Sequence, residues 1–299
     1  MDVSVVITTK NREALLRKAI QSALSQTMPI EVIVIDDNST DRTADMVKEE
    51  FPQVTLERAP EARGYIVQRN RAARISSADV IVSIDDDAVF SSPLVVEQAV
   101  AELEAPRVAA VAIPYTEPKK SNEILQRAPD TKEIWVTDMF RGTAYAVRRE
   151  VFLALGGYRE QLVHQGEERD FCIRMLNLGF VVRLGSGDHV IHNEMQKRDW
   201  ARLDFYGRRN DVLFVWNNVP WPFFITHLMG TTVRGASLAA SRQNIGMARG
   251  ILAGYRGLVS PSNIRMPVAR STYRLHRALR KEGPVPLSNI RHILPQLTT

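Results

Sequence analysis

The chain is poor in cysteine: Cys172 is the single thiol among 299 residues. One cysteine excludes an intramolecular disulfide framework and is typical of a protein in a reducing compartment. Residues 167–179 predict an amphipathic helix, and Cys172 lies on its apolar side. We therefore expect Cys172 to pack in the core. The first ten residues, MDVSVVITTK, also lack the basic and apolar regions of a signal peptide. We therefore expect a cytoplasmic location.

Long apolar runs are also scarce. The longest run without a charged residue lies between positions 211 and 234, and it is long enough for a membrane-spanning helix, which needs roughly 20 residues. Asn217, Asn218, Pro220 and Pro222 stand in its middle. Each of these residues would disrupt a helix exposed to lipid. The sequence therefore argues against a transmembrane segment.

Acidic residues are nearly missing from the last third of the chain. Residues 200–299 hold 14 Lys/Arg and 3 Asp/Glu, a balance of +11. The whole chain holds 39 and 34, which leaves 25 and 31 for residues 1–199, a balance of −6. An acidic body with a basic tail predicts that the tail faces something anionic. Nucleic acid, phospholipid headgroups and simple solubility all stay open at this point.

Short strand-like runs alternate with helical patterns through the first half of the chain. Apolar residues at i, i+4 spacing predict a helix over residues 13–26. Strands joined by crossover helices predict an α/β fold with a Rossmann-like, mostly parallel, doubly wound sheet. The predicted strands are VSVVI (3–7), EVIVI (31–35), VTLE (54–57), VIVSI (80–84) and VAAVAI (108–113).

The pattern changes after residue 114. Residues 117–133 are polar and predict a long loop. Two further strands are predicted, IWVTDMF (134–140) and TAYAV (143–147). From about residue 200 onward the pattern is helical only. We therefore predict two units, an α/β domain over residues 1–200 and a basic helical C-terminal extension over residues 201–299.

Polar clusters follow three of the predicted strands: TTKNR (8–12), DDNSTD (36–41) and DDD (85–87). In a doubly wound sheet, ligands bind at the carboxyl ends of the strands, so the three clusters should open onto one edge. Each cluster alone is also compatible with helix capping, because Asn11 and Ser39 are good N-cap residues. Three clusters at successive strand ends favour a binding site over caps alone.

The three adjacent aspartates follow a strongly apolar strand, and their charges repel one another. A hard divalent cation such as Mg²⁺ or Mn²⁺ takes oxygen ligands and shares them with phosphate groups. Such an ion would offset the repulsion among the carboxylates. The alternative is a solvated acidic turn. We expect this strand end to bind Mg²⁺ or Mn²⁺.

Five stretches follow one another along the chain: VSVVITTKNREALLRKAIQSALSQT (3–27), EVIVIDDNSTDRT (31–43), DVIVSIDDDAVF (79–90), GTAYAVRREVFLALGGYRE (142–160) and GEERDFCIRMLNLGF (166–180). With these five in order, the sequence resembles the family 2 inverting glycosyltransferases of the GT-A fold, and bacterial rhamnosyltransferases in particular. The resemblance covers about residues 3–193, with a weaker similarity to about residue 257. It implies metal-dependent transfer of a sugar from a nucleoside-diphosphate sugar to a hydroxyl of a glycan or lipid-linked acceptor.

The resemblance implies which residues hold the donor. Thr8 and Asp37 match residues that bind the donor's base, with Asp37 accepting a hydrogen bond from a pyrimidine ring N–H. Thr9 is assigned to the same donor site. Arg69 matches a basic residue near the nucleotide or its phosphates.

The aspartate cluster stands where the family has its DXD motif. The resemblance places Asp85 toward the ribose and Asp87 on the metal, and Asp86 is assigned to the donor site. His192 matches a histidine that some members use as a third metal ligand. A hydrogen-bonded structural histidine is the alternative for His192.

The resemblance also implies a catalytic base. Glu168 stands where the family usually has an aspartate that deprotonates the acceptor hydroxyl. Such a base is what transfer from a nucleotide sugar requires, together with charge neutralisation on the departing diphosphate. The motif here has Glu-Glu in place of Glu-Asp, so Glu167 and Asp170 stay open as alternatives to Glu168.

Two other classes of function stay open. A nucleotidyltransferase acting on sugar phosphates also combines an α/β fold with metal-binding aspartates. It would normally carry a Gly-rich, Lys-bearing phosphate loop after the first strand, and TTKNREALL has no glycine. A non-catalytic sugar- or nucleotide-binding protein is the third class. The scattered arginines and the lack of a recognisable motif argue against a nucleic-acid partner.

The basic tail has two interpretations. Trp216, Trp221, Phe223 and Phe224 stand near scattered arginines and suit a surface that lies at a membrane interface. Similar tails in bacterial family members act at the cytoplasmic membrane, so the resemblance implies peripheral contact with its inner face. The alternative is a helical appendage that packs on the first domain or on a second copy in a homodimer.

Overall fold

The computed structural model describes residues 1–193, 199–260 and 263–297, which form two β-sheets covered by helices. The strands are β1 (Val3–Thr9), β2 (Glu31–Asp36), β3 (Thr55–Arg58), β4 (Val80–Asp85), β5 (Ala88–Phe90), β6 (Val108–Ala112), β7 (Tyr115–Glu117), β8 (Ser121–Leu125), β9 (Trp135–Thr137), β10 (Ala144–Arg148), β11 (Val181–Leu184), β12 (Val190–His192) and β13 (Val285–Pro286). The α-helices are α1 (Glu13–Leu24), α2 (Thr43–Glu50), α3 (Tyr65–Ile75), α4 (Val95–Ala101), α5 (Arg149–Ala154), α6 (Glu167–Asn177), α7 (Trp200–Asn218), α8 (Phe223–Ser241), α9 (Ile245–Leu258), α10 (Arg270–Glu282) and α11 (Leu287–Ile290).

The larger sheet has nine strands in the order β13-β9-β11-β6-β10-β4-β1-β2-β3. Its strands run parallel through β3-β2-β1-β4 and antiparallel where β10 lies between β4 and β6. The seven predicted strands are all present, and the crossover helices α1, α2 and α3 link the parallel ones. The predicted α/β class is therefore confirmed.

Apolar layers cover both faces of this sheet. Successive side chains of a strand point to opposite faces, so Val5 and Ile7 enter one layer and Val6 enters the other. A strand buried on both faces reads as a continuous apolar run, which is the pattern of the predicted strands. Cys172 is buried in the second layer, as predicted.

A second sheet has four strands in the order β5-β12-β7-β8 and was not predicted. Its strand β8 lies inside residues 117–133, which we expected to be a loop, so that expectation is wrong. The first three residues of β8 are exposed polar side chains. Without an alternating apolar face they carry no strand signal in the sequence.

The C-terminal part of the chain is mostly helical. Helices α7, α8 and α9 pack on one another, and α10 packs on α6. Strand β13 adds to the larger sheet beside β9, so the expectation of helices alone is wrong there. A two-residue strand is too short to show periodicity. The division into residues 1–200 and 201–299 stays a prediction. None of the helices in the described ranges has the length and apolar character to cross a bilayer.

Candidate active site

The carboxyl ends of β1, β2 and β4 open into a cavity of about 1020 Å³. Parallel pairing sets Thr8 beside Asp85 and Thr9 beside Asp36, so residues far apart in sequence share one edge. Every residue that the sequence assigned to donor, metal or base lines this cavity. They are Thr8, Thr9, Asp37, Arg69, Asp85, Asp86, Asp87, Glu168 and His192.

Asp85, the last residue of β4, and Asp86, which follows it, bind different partners. Asp85 Oδ1 accepts a hydrogen bond from Arg69 Nη2 at 2.7 Å, and Arg69 itself is buried. Asp86 is buried and accepts a hydrogen bond from Thr9 Oγ1 at 2.8 Å. Burial raises the pKa of Asp86 to about 6, although a neighbouring arginine opposes the rise. Asp85 is the more exposed of the two and faces the cavity.

Arg12 is a residue of this cavity that the sequence analysis did not assign. Its Nη1 lies 2.8 Å from Asp86 Oδ1 and 2.9 Å from Asp87 Oδ2. Burial alone would raise the pKa of Asp87, but the hydrogen bond from His192 and the charge of Arg12 together lower it. The available signal was positional, because Arg12 follows β1, and β1 pairs directly with β4.

Asp85, Asp87 and His192 form a candidate metal site. His192 Nε2 lies 3.2 Å from Asp87 Oδ1 and 3.8 Å from Asp85 Oδ2. One ligand atom from each residue lies within 4.8 Å of the other two. Neighbouring ligands of an octahedral ion with bonds of about 2.1 Å lie about 3 Å apart. The separations of 3.2 and 3.8 Å approach this value, so the three side chains are near enough to share one small divalent cation.

The second sheet orients His192. Pairing of β12 with β5 sets His192 opposite Ala88, directly after Asp87. Pairing of β12 with β7 brings Glu117 Oε1 to 3.2 Å from His192 Nδ1. A carboxylate on one ring nitrogen turns the other nitrogen toward a metal, which is a frequent arrangement at metal-binding histidines. Glu117 was not assigned from the sequence because its position depends on this unpredicted sheet.

Asp37 is held by backbone and side-chain donors around the start of α3. Its Oδ1 accepts hydrogen bonds from Arg63 N at 2.8 Å and Gln68 Nε2 at 2.6 Å, and its Oδ2 accepts one from Gly64 N at 2.9 Å. Each carboxylate oxygen can accept about two hydrogen bonds. Oδ2 therefore keeps capacity for one more donor on the cavity side.

The three acids at the start of α6 have different surroundings. Glu168 lines the cavity, and its Oε1 accepts a hydrogen bond from Gly142 N at 3.0 Å. Glu167 is buried, and burial together with the charge of Glu168 raises its pKa to about 8. Asp170 is buried in ion pairs with two arginines at 2.5 and 3.0 Å. Because Glu167 is buried and Asp170 is ion-paired, Glu168 is the best placed of the three to accept a proton from a group in the cavity.

The backbone of Gly142 contacts both Glu168 and Arg69. Its N–H donates to Glu168, and its carbonyl oxygen accepts a hydrogen bond from Arg69 Nη2 at 2.8 Å. A Cβ at position 142 would lie 2.7 Å from Arg69 Nη1 and 2.8 Å from Glu168 Oε1. A side chain at position 142 would therefore displace the Arg69 guanidinium or the Glu168 carboxylate, and the backbone of Gly142 connects Asp85, through Arg69, to the candidate base.

Asn11 and Ser39 do not act as helix caps. The N-cap positions of α1 and α2 are Arg12 and Arg42, and neither helix has a side-chain cap. Instead Asn11 N donates to Ser39 Oγ at 2.9 Å, and Asn11 Oδ1 accepts from Thr40 N at 2.7 Å. These bonds tie together the loops after β1 and β2, which form one edge of the cavity.

The far wall of the cavity comes from the C-terminal helices. It includes Arg202, Arg208, Asp211 and Phe214 of α7 and Arg280 of α10. Asn210 Nδ2 of α7 donates to the carbonyl oxygens of Leu162, His164 and Gln165, just before the acidic start of α6. Burial lowers the pKa of His164 to about 4, so this ring is neutral at pH 7. Both predicted units therefore contribute to one cavity.

Residues 4–158, just over half of the chain, match the family model described as Glycosyl transferase family 2. The chain belongs to glycosyl transferase family 2. The family that the ordered motifs predicted is therefore confirmed. This family match argues against the two alternative functions, a nucleotidyltransferase and a non-catalytic binding protein.

Two bacterial relatives are named as glycosyltransferases. The "Probable glycosyltransferase YdaM" of Bacillus subtilis (strain 168) is 27% identical over 234 residues, which cover 68% of this chain and 55% of YdaM. The O-antigen chain rhamnosyltransferase WbaN of Salmonella anatum is 23% identical over 245 residues, which cover 68% of this chain and 76% of WbaN. The chain thus matches about half of the length of YdaM.

A solved structure shows the same fold. The mannosyltransferase PcManGT from Pyrobaculum calidifontis, in complex with GDP-Man and Mn²⁺, aligns with a TM-score of 0.59 and 21% identity. The alignment covers 93% of this chain and 84% of that chain. The predicted GT-A fold with a C-terminal helical region is therefore confirmed.

Proposed function

We propose that this family 2 member is a metal-dependent inverting glycosyltransferase. It moves a sugar from a nucleoside-diphosphate sugar to a hydroxyl of a glycan or lipid-linked acceptor. The observation that carries the proposal is that the Asp85–Asp87–His192 cluster and Glu168 line one cavity. The mannosyltransferase with the same fold was solved with a nucleotide sugar and Mn²⁺, which supports this choice of donor and ion.

Asp87 and His192 would hold the metal ion, and Asp85, which the resemblance places toward the ribose, lies close enough to share the same ion. A bound divalent cation supplies positive charge that offsets the charge developing on the departing diphosphate. Mg²⁺ is held mainly by oxygen ligands and water, whereas an imidazole is a better ligand for transition metals. The presence of His192, with Glu117 behind it, therefore favours Mn²⁺ over Mg²⁺.

The donor and the acceptor would enter from opposite sides. Thr8, Thr9 and Asp37 lie at the ends of β1 and β2, where we place the nucleotide, and Asp86 holds Thr9 beside it. Arg69 is fixed by Asp85 and orients that carboxylate. The wall formed by α7 and α10 then faces the acceptor.

Glu168 would accept the proton of the acceptor hydroxyl. As that O–H bond breaks, the oxygen forms a bond to the anomeric carbon, and the bond from this carbon to the diphosphate oxygen breaks. The electron pair of the broken bond leaves with the nucleoside diphosphate. A single in-line displacement of this kind inverts the anomeric configuration. The hydrogen bond from Gly142 N orients the carboxylate for this role.

A panel of UDP-, dTDP- and GDP-sugars tests the choice of donor by thermal unfolding, with Mn²⁺ and with a chelator. A donor at a hundredfold excess over its Kd should stabilise the protein by about 2.7 kcal/mol. We expect at least one donor to stabilise it only when Mn²⁺ is present. If no nucleotide sugar does so, the proposed donor class is wrong.

A cytoplasmic location and a homodimer stay predictions.

A further inference from the structure

Exposed apolar side chains are concentrated in one segment of the C-terminal part. Among the described residues, seventeen large hydrophobic side chains are exposed, and ten of them lie between positions 221 and 266. They are Trp221, Ile225, Met229, Val233, Ile245, Leu252, Tyr255, Val259, Ile264 and Met266. A contiguous exposed apolar patch marks an interaction site more often than scattered single residues do, so the placement of these ten residues on the helices decides what they indicate.

On α8 the exposed apolar residues form a stripe. Ile225, Met229 and Val233 follow one another at four-residue spacing and are 44%, 62% and 65% exposed. Residues at this spacing lie on one side of a helix. Phe224 and Ala239 of the same helix are buried. Helix α8 therefore shows a second apolar face to the outside, in addition to its packed one.

On α9 the outer stripe alternates apolar and basic residues. Ile245 and Leu252 of α9 and Val259, the residue directly after it, recur every seven residues and are 69%, 60% and 85% exposed. Arg249 and Arg256 fall between them on the same side of the helix. Apolar residues interleaved with arginines are typical of helices that lie in a membrane interface.

The packing of α9 fixes which way this stripe points. Gly250 and Gly254 face α7, and a Cβ at position 254 would lie 2.7 Å from Val212 Cβ. The stripe of α9 is on the side away from α7. Tyr255 OH lies 2.6 Å from Thr232 Oγ1 of α8, so the two helices are joined at their outer edge. We call the exposed stripes of α8 and α9 together the outer face.

The charge of this region selects the partner. Residues 212–281 contain ten Arg/Lys and no Asp/Glu. A second copy of the chain on the outer face would bring two such basic segments together, and like charges across an interface cost free energy. A bilayer with anionic headgroups complements both the arginines and the apolar stripes. Charge complementarity thus favours a membrane surface over a homodimer.

The aromatic residues that suggested an interfacial surface from the sequence are mostly packed inside. Arg265 lies over the rings of Trp216 at 5.4 Å and Phe224 at 4.7 Å, and Arg274 lies over Phe223 at 5.3 Å. Of the four aromatic residues, Trp221 alone is exposed. The aliphatic stripes of α8 and α9 provide a different and larger apolar surface.

We propose that the outer face of α8 and α9 docks the protein onto anionic phospholipid. Both helices lie flat on the surface, with Val233 and Leu252 inserted and Arg249 and Arg256 at headgroup level. Helix α7 contacts α9 on one side and lines the catalytic cavity on another, so docking holds the cavity close to the bilayer. This inference does not depend on the choice of donor or base.

Co-flotation of the full-length protein tests the proposal, with vesicles of phosphatidylcholine alone or mixed equally with phosphatidylglycerol. We expect flotation with the mixed vesicles only, and its loss at high salt. The double variant Val233→Asp/Leu252→Asp should stay unbound. The control variant Ile75→Asp/Leu94→Asp makes the same charge change at exposed apolar sites elsewhere and should float like wild type. Arg249→Gln and Arg256→Gln should each lower the partition coefficient roughly fivefold.

Circular dichroism melts check that each variant is folded. We expect all of them to fold, because every substituted side chain is exposed. Failure of the wild type to float, or equal flotation of Val233→Asp/Leu252→Asp, would overturn the proposal. A wild-type dimer in light scattering that Val233→Asp/Leu252→Asp dissociates, without vesicle binding, would assign the outer face to a second copy. Metal-dependent donor binding should be unchanged in all of these variants, which separates this test from that of the catalytic site.

Discussion

At the scale of single residues, the three adjacent aspartates of the cavity are each ion-paired with an arginine. Arg69 binds Asp85, while Arg12 binds both Asp86 and Asp87. These pairs offset the repulsion within the three-aspartate cluster. Arg12 uses Oδ2 of Asp87, whereas Oδ1 faces His192. The oxygen directed toward the candidate metal position is therefore not the one that Arg12 occupies.

Glu168→Gln tests the base at this scale. The change keeps the shape and the hydrogen bond from Gly142 N but removes the proton acceptor. We expect kcat to fall by roughly 10²–10⁴-fold while donor Kd stays nearly unchanged, because the base acts in the transition state. Steady-state transfer to a working acceptor and donor titration measure the two quantities.

Two neighbouring acids serve as controls for Glu168→Gln. Glu167→Gln should keep most of kcat, because burial already holds the pKa of Glu167 at about 8. Asp170→Asn should lower the unfolding temperature as well as the rate, since Asp170 is ion-paired with Arg159 and Arg174. The assignment would be wrong if Glu168→Gln kept the kcat of the wild type while Glu167→Gln or Asp170→Asn lost it. The base would then be Glu167 or Asp170.

The buried Glu167 carboxyl also predicts a pH dependence of stability. Burial raises its pKa from 4.5 to about 8. Between these values the folded chain binds more protons than the unfolded chain, so the free energy of unfolding falls as pH rises. Glu167→Gln cannot ionise and should lose this contribution. Urea unfolding from pH 4.5 to 8 checks it: the variant should gain on wild type as pH rises, and a parallel pH profile would contradict the expectation.

At the scale of elements, periodicity predicted the parts of the fold with strong apolar patterns. Strand β4 and helix α1 are buried along whole faces, and the sequence shows their patterns clearly. The carboxyl-end rule then placed Asp37 and Asp85 together. These features follow from local sequence and from one rule of topology.

The elements that the sequence did not reveal depend on long-range pairing. Strand β8 has an exposed polar start, and β13 has only two residues. Neither carries a periodic signal, so their existence depends on β7 and β9 as partners. Glu117 was missed for the same reason, because its contact with His192 depends on the second sheet, whereas Arg12 lay in the predicted cluster TTKNR (8–12) and only its contact with Asp87 was missed.

Leu279→Ala tests whether α10 unfolds together with the predicted first unit, residues 1–200. Leu279 is 3% exposed and shares an apolar layer with strands of the larger sheet. Loss of a buried leucine costs about 2–5 kcal/mol, so we expect a single cooperative transition at lower urea. Leu24→Ala, at an exposed position of α1, is the matched control and should change little. A separate early transition for the C-terminal part would support two independent domains.

At the scale of the whole molecule, charge and function are divided along the chain. The acidic first part provides the strand ends with their carboxylates, and the basic last part provides the far wall of the cavity and the outer face. Glycosyl transferase family 2 covers residues 4–158, and the base candidate Glu168 lies just beyond them. The complete site therefore needs both the matched region and the chain that follows it.

The central claim is metal-dependent use of a nucleotide sugar at Asp87. Release of nucleoside diphosphate from UDP-, dTDP- and GDP-sugars, by wild type and Asp87→Asn, tests it most directly, with Mn²⁺ and with a chelator. We predict turnover of at least one donor by the wild type with Mn²⁺ only, and a fall of roughly 10²-fold or more in Asp87→Asn. Turnover that persists in the chelator, or that is equal in Asp87→Asn and wild type, would contradict the account.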